Sequence, residues 1–321
     1  MPTLKVAFSD GAKTNNPAAV RILSLLTKSG LGVESTFNDA DLLIYSDFGE
    51  QHWEFKGLKI YITGENMLPD FDQCDLAFSP LEDIHDQRCV RLPYYAQVLP
   101  TMGSLVRGPE WQSQSHVHRP KFCSFIASNP RGSLRNAFFK KLNRLKHVDS
   151  AGRHFNNYGS PVVDKLAFLK DYRFNLAFEN SQSPGYVTEK LIEPLLVGCI
   201  PIYWGAPDVN RDFNSSCMIN VSDFPDSDTA IDYIMQADRD ESIRLRHLSA
   251  SVFKNNQAPE VLNDSHLLNP IIKLLSSGKK PGVRKYRKRR LREHVYQSPI
   301  NQTLTSLGCR LEGILWKLGL R

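Results

Sequence analysis

Residues 172–209 read YRFNLAFENSQSPGYVTEKLIEPLLVGCIPIYWGAPDV. The apolar run at 174–178 has the length of a buried strand and ends in the polar residues Glu179, Asn180, Ser181 and Gln182. A Ser-Pro-Gly turn follows, then a helical pattern over 187–197 and a second strand-like run over 200–204. Strand, helix and strand in this order imply a parallel sheet with helices on its faces. In such sheets ligands bind beyond the carboxyl ends of the strands. Polar side chains and the N–H donors of a helix start meet there, an arrangement that favours an anion such as a diphosphate. Lys190 adds a positive charge, and Glu189 beside it is a carboxylate that can face positive charge in a transition state. Taken alone, Glu189 and Lys190 read equally as an ordinary surface pair at a helix start.

The same alternation extends outward. Upstream, strand-like runs occupy 4–8, 41–45, 58–63, 76–78 and 89–92, with a helical pattern over 17–26 that starts on Pro17, a residue tolerated at a helix start. Residues 100–120 are rich in Pro, Gly, Ser and His and read as an interdomain connection. A second series then begins, with a strand at 122–127 and a helix at 133–145, and helical patterns continue to about residue 275. The expectation is two Rossmann-like domains, residues 1–117 and 118–277, followed by a tail over 278–321.

Charge separates the tail from the rest. Residues 279–321 carry twelve Lys and Arg against Glu293 and Glu312, a net +10, and leave the remaining chain at −4. The run RKYRKRRLR at 284–292 binds polyanions non-specifically, but it is confined to an appendage, so no specific nucleic-acid partner is expected. Leucines at 304, 307, 311, 315 and 318 follow with helical spacing. A basic run before an amphipathic helix is the composition of an interfacial anchor, with packing on the fold the competing reading. No apolar run reaches the roughly 18 residues of a membrane span. The opening MPTLKVAFSDG runs straight into a strand, and the six cysteines show no CxxC pair. A cytoplasmic protein with reduced thiols is expected, peripheral at the inner face of the membrane where the tail engages it.

FENS, YVTEKL and IPIYWGAP, in this order and spacing, resemble the donor-binding core of the α-1,3/4-fucosyltransferases, glycosyltransferase family 10. The resemblance continues in FCSFIASNPRGSLRNAFFKKLNRLKHVDSAG, TGENMLPDFDQCDLAFS and RLPYY. It covers residues 3–225 and is closest to soluble bacterial members. It implies a GT-B fold, an acceptor domain followed by a donor domain, and inverting transfer of L-fucose from GDP-β-L-fucose. The implied acceptor hydroxyl is O-3 of GlcNAc in a Gal-GlcNAc-type oligosaccharide or glycolipid, such as lipopolysaccharide O-antigen. By the same resemblance Arg135 and Lys190 bind the diphosphate, Asn180 and Tyr186 contact GDP-fucose, and Glu189 stabilises charge developing on fucose.

The resemblance makes Glu65 the general base. Inversion independently requires a carboxylate to take the acceptor's proton opposite the leaving group, and Glu65 follows a strand, where a loop enters the site. Without the resemblance it reads as a solvated loop acid. The Asp-x-Asp triplets at Asp70–Asp72, Asp226–Asp228 and Asp238–Asp240 lack the strand context of a metal site, and those from 226 to 240 read as helix-start and surface acids. Arg135 and Lys190 supply the positive charge, so neither a metal nor a cofactor is expected. A GT-B enzyme with a different GDP-sugar donor is the alternative function.

Overall fold

The alternating apolar runs form two parallel sheets. The structure, a computed structural model, describes residues 3–12, 16–36, 39–82, 84–108, 111, 113–160 and 162–278. It divides into two units.

The first unit starts with β1 (Leu4–Ser9), α1 (Pro17–Lys28), β2 (Val33–Ser35) and β3 (Leu42–Tyr45). It continues with β4 (Leu58–Ile62), β5 (Leu76–Ser79), β6 (Cys89–Arg91) and α2 (Tyr94–Met102). Its sheet runs β2-β1-β3-β4-β5-β6, every pair parallel. The central strands are apolar almost throughout because both faces are covered: β3 and all of β4 after Leu58 are buried. Asn16 starts α1 by accepting a hydrogen bond from the Ala19 amide at 3.0 Å, with Pro17 in the first turn.

The second unit contains α3 (Gln114–Val117), β7 (Lys121–Phe125), α4 (Ser133–Leu145), β8 (Val148–Ser150) and α5 (Lys165–Leu169). β9 (Tyr172–Phe178), α6 (Glu189–Leu196), β10 (Ile200–Trp204) and β11 (Ile219–Asn220) follow. α7 (Ser227–Arg239) and α8 (Glu241–Ser249) complete it. Its sheet runs β11-β10-β9-β7-β8, again all parallel. The opening stretch of sequence thus supplies the centre of this sheet, and Phe138, Phe174, Phe178 and Ile202 fill the core around it.

The unit boundaries depart from the expected 1–117 and 118–277. The second unit begins at Gly103, and residues 259–278 belong with the first. Within the expected connection at 100–120, two described side chains are held in the second unit. The Arg107 guanidinium lies 4.3 Å from the Trp111 ring centroid and donates to the carbonyls of Leu248 and Ala250. Trp111 donates its indole N–H to the Leu248 carbonyl at 2.9 Å. Burial lowers the Arg107 pKa to about 10, which these partners make tolerable. The last described helix, α9 (Asp264–Ser276), returns to the first unit, where Arg21 of α1 pairs with Asp264 at 2.9 Å and donates to the Leu262 carbonyl at 2.6 Å.

Among the described residues no helix is long and apolar enough to cross a membrane. The basic run and the leucine-spaced segment at 304–318 lie outside the described residues.

Candidate active site

In the second unit the chemistry collects where β7 and β9 end. β9 stops at Phe178, and the next side chain, Glu179, is fully enclosed. Its backbone N–H still donates to the Trp204 carbonyl at 2.8 Å, which ties the strand end to β10. Gly205 permits this: a Cβ there would overlap both the Glu179 side chain and the Tyr203 hydroxyl.

The Glu179 carboxylate organises the start of α6. One oxygen accepts from the Thr188 amide at 2.7 Å and the other from the Thr188 hydroxyl at 2.7 Å. Thr188 is the N-cap of α6, a residue type suited to satisfying the free amides of a first turn. The Lys190 ammonium lies 3.4 Å from Glu179, 3.2 Å from the Thr188 hydroxyl and 3.6 Å from Glu189. Burial lowers the lysine's pKa, but the carboxylates of Glu179 and Glu189 more than offset this and hold it above the ordinary lysine value. Burial raises Glu179 above the usual carboxylate range, with Lys190 and Thr188 opposing it.

Arg135 reaches the same place from α4. It is 3 % exposed, and its guanidinium donates to the Asn180 side-chain oxygen at 3.0 Å and the Arg131 carbonyl at 2.6 Å. Its Nε has no hydrogen-bond partner among the described residues. Burial lowers its pKa and Glu179 opposes the shift, yet guanidinium basicity leaves it charged at neutral pH. Four of the six expected residues, Arg135, Asn180, Glu189 and Lys190, therefore converge on one cluster.

Tyr186 is buried in the three-residue segment Pro184–Tyr186, which belongs to the first unit. Glu65 also lies in the first unit, exposed on the loop after β4. The buried Thr63 hydroxyl fixes that loop, accepting from the Glu65 amide at 3.0 Å and donating to Asp47 at 2.7 Å. Tyr61 donates to the other Asp47 oxygen. Gly64 makes room for the ring of Tyr94, which a Cβ would overlap.

Three aspartates of the later Asp-x-Asp triplets have structural partners. Asp226 and Asp240 are N-caps, accepting from the amides of Thr229 and Ser242 at 2.8 Å each. Asp238, expected among the surface acids, instead faces inward, 2.8 Å from Arg173 Nε and paired with Lys146. Among the described residues no group of three or more His, Cys, Asp or Glu could hold a metal ion.

Sequence reasoning noticed Glu179 only as one of four polar residues. Its signal was a lone carboxylate directly after a buried strand, nine residues before a helix-capping threonine.

Residues 116–258 match the family described as glycosyltransferase family 10 (fucosyltransferase) C-term, and residues 6–98 match the alpha-(1,3)-fucosyltransferase FucT N-terminal domain. The chain belongs to glycosyltransferase family 10. Among curated relatives, the alpha-(1,3)-fucosyltransferase FucT of Helicobacter pylori is 36% identical over 206 residues, 55% of this chain and 43% of that protein. Alpha-(1,3)-fucosyltransferase B of Drosophila melanogaster is 34% identical over 118 residues, 32% of this chain and 26% of that one. The match thus spans less than half the length of these curated relatives. A crystal structure of alpha1,3-fucosyltransferase with GDP-fucose superimposes with a TM-score of 0.71 at 28% identity, covering 87% of this chain and 92% of that one. A second crystal structure of alpha1,3-fucosyltransferase gives 0.73 at 26% identity, covering 89% and 93%. Two parallel-sheet α/β units, the organisation expected from the sequence, are shared with these fucosyltransferase structures.

Proposed function

We propose that this chain is an inverting α-1,3-fucosyltransferase that moves L-fucose from GDP-β-L-fucose to O-3 of GlcNAc in a Gal-GlcNAc-type acceptor, free or lipid-linked. The carrying observation is the convergence of Arg135 and Lys190 on Glu179, with Arg135 also donating to Asn180, at the strand ends of the second unit, in a chain of this family. Two cations in a partly dehydrated site suit a diphosphate, because charge-assisted hydrogen bonds are roughly twice as strong as neutral ones.

In this mechanism the bond from fucose C1 to the β-phosphate oxygen breaks and GDP leaves with the electron pair, held by Arg135 and Lys190. The acceptor oxygen bonds to C1 from the opposite face and its proton passes to Glu65. Positive charge that develops at C1 is met by Glu189. Asn180 and Tyr186 contact the nucleotide sugar. The cations stand where many sugar transferases use a metal, so no metal is required.

Five described cysteines are free thiols, which supports a reducing, cytoplasmic setting. The basic tail brings the enzyme to an anionic membrane surface that presents acceptor glycans. The test is to incubate the protein with GDP-fucose and N-acetyllactosamine, with and without EDTA, and determine the product linkage. An α-1,3-fucoside on GlcNAc, formed equally with EDTA, is expected. No transfer, or transfer from another GDP-sugar in its place, overturns the proposal.

A further inference from the structure

We infer that Glu179 is a positioning residue that holds Lys190 for the donor and takes up a proton when the donor's diphosphate replaces it as partner of that ammonium. The inference rests on the reading of GDP-fucose as donor.

Arg135 and Lys190 bring two positive charges to the cluster, and Glu179 and Glu189 bring two negative ones. The site is neutral before the donor arrives. The diphosphate of a nucleotide sugar is esterified at both ends, so it carries two negative charges and has no group that titrates near neutral pH. Its arrival would leave the cluster strongly negative in a partly dehydrated place, where unpaired charge is costly.

A proton relieves this, and burial selects where it goes. Glu189 is about a quarter exposed and keeps contact with water, whereas the Glu179 side chain is fully enclosed. Once Lys190 turns to phosphate, Glu179 has no solvent to replace it. The groups facing Glu179 are Lys190 and Glu189 from α6, Arg135 from α4, Thr188 at the helix cap and the Tyr203 hydroxyl beside Gly205. Of these, Lys190 is the main influence favouring ionisation, against burial that already raises the group.

The hydrogen bonds tolerate either state. Ionised, Glu179 accepts from the Thr188 amide and hydroxyl. Protonated on the second oxygen, it still accepts from the amide and donates to the hydroxyl oxygen, which turns to receive it. Thr188 therefore stays capped while the charge changes.

The sign follows from linkage. Proton uptake on binding means that affinity rises as pH falls from the bound-state to the free-state pKa, by at most about tenfold per pH unit for one proton. The experiment is titration calorimetry of the full chain with GDP-fucose, without acceptor, at about pH 6 and about pH 7 in buffers of different ionisation enthalpy. The expected heat varies with the buffer in the direction of uptake, approaching one proton per donor. Glu179→Gln abolishes this dependence and flattens affinity against pH, while Glu189→Gln retains it. Donor binding without proton uptake by the unaltered protein overturns the inference but leaves the donor assignment standing. Uptake that persists in a folded Glu179→Gln variant overturns the assignment to Glu179. Failure of the unaltered protein to bind GDP-fucose overturns both readings.

Discussion

The loops at the carboxyl ends of the two sheets hold their acids by opposite means. In the second unit Glu179 is enclosed and bonded to a helix cap and an ammonium, and Arg135 is pinned to backbone carbonyls and Asn180. In the first unit Glu65 is exposed, and the structure fixes its amide through the hydroxyl of Thr63. Both loops depend on a glycine where an aromatic ring comes close, Gly205 at Tyr203 and Gly64 at Tyr94. The difference suits two tasks. On the proposed function, the dianionic diphosphate is met by cations that the fold already holds beside its site. A group that must accept and return protons each turnover needs access to solvent while its backbone stays in place.

The largest effect should come from removing the helix that completes the first unit. A chain ending at Ala258 loses α9, whose Leu267, Ile271 and Leu274 are buried. Each buried aliphatic side chain contributes about 1.5–3 kcal/mol, so their joint loss approaches the whole stability of a typical domain, about 5–15 kcal/mol. We expect an aggregating or partly unfolded protein, whereas a chain ending at Ser277 stays folded and active and loses only affinity for anionic liposomes. Circular dichroism and liposome co-sedimentation separate these outcomes. Equal stability of the two truncations would mean that the first unit does not need α9.

Next comes Glu65→Gln, which keeps the shape and removes the basicity. Removing a general base costs about a hundred- to ten-thousand-fold in rate, so we expect kcat to collapse while GDP-fucose binding holds. Near-normal turnover would move the base elsewhere and erase the functional contrast between the loops.

Lys190→Ala should act on binding. A hydrogen bond to a charged group contributes about 1.5–3 kcal/mol, so GDP affinity should fall by roughly ten- to a hundredfold in calorimetry. The variant also leaves Glu179 enclosed without its ammonium, an arrangement that costs stability, and its melting temperature should drop. Arg135→Ala should weaken GDP similarly. Unchanged GDP affinity in both variants would sink the assignment of the cluster to the diphosphate.

The smallest expected effect tests the lighter fixation in the first unit. Thr63→Val removes the hydroxyl shared by Asp47 and the Glu65 amide, and we expect a kcat loss of about tenfold or less, the worth of one modest hydrogen bond. Thr63→Ser should restore the rate, and GDP affinity should not move in either variant. A loss of GDP binding with Thr63→Val would show that the two loops are not functionally separate.

The sequence alone determined the elements and their class. Apolar runs of strand length separated by amphipathic patterns specify parallel αβ layers, and the runs at 58–63, 133–145 and 200–204 fall on β4, α4 and β10 within a residue. Local order also marked Asn180, Glu189 and Lys190, which sit at a strand end and a helix start, whereas Arg135 came from the family resemblance.

What only the tertiary structure decided depends on partners far away in sequence. Residues 100–120 read as a linker by composition, yet Arg107 and Trp111 within them donate to carbonyls some 140 residues onward. α9 has an ordinary amphipathic pattern, and nothing local says that its face completes the first unit, where Arg21 waits 243 residues away. Asp238 resembles a surface acid until Arg173 and Lys146 meet it in the interior. Glu179 is one polar residue among four until the close approach of Gly205 and the return of Thr188 and Lys190 enclose it. Local pattern fixes which groups the chain offers at each strand end. Burial and charge pairing, which set the energy of each ionisable group, arise only when distant segments close around it.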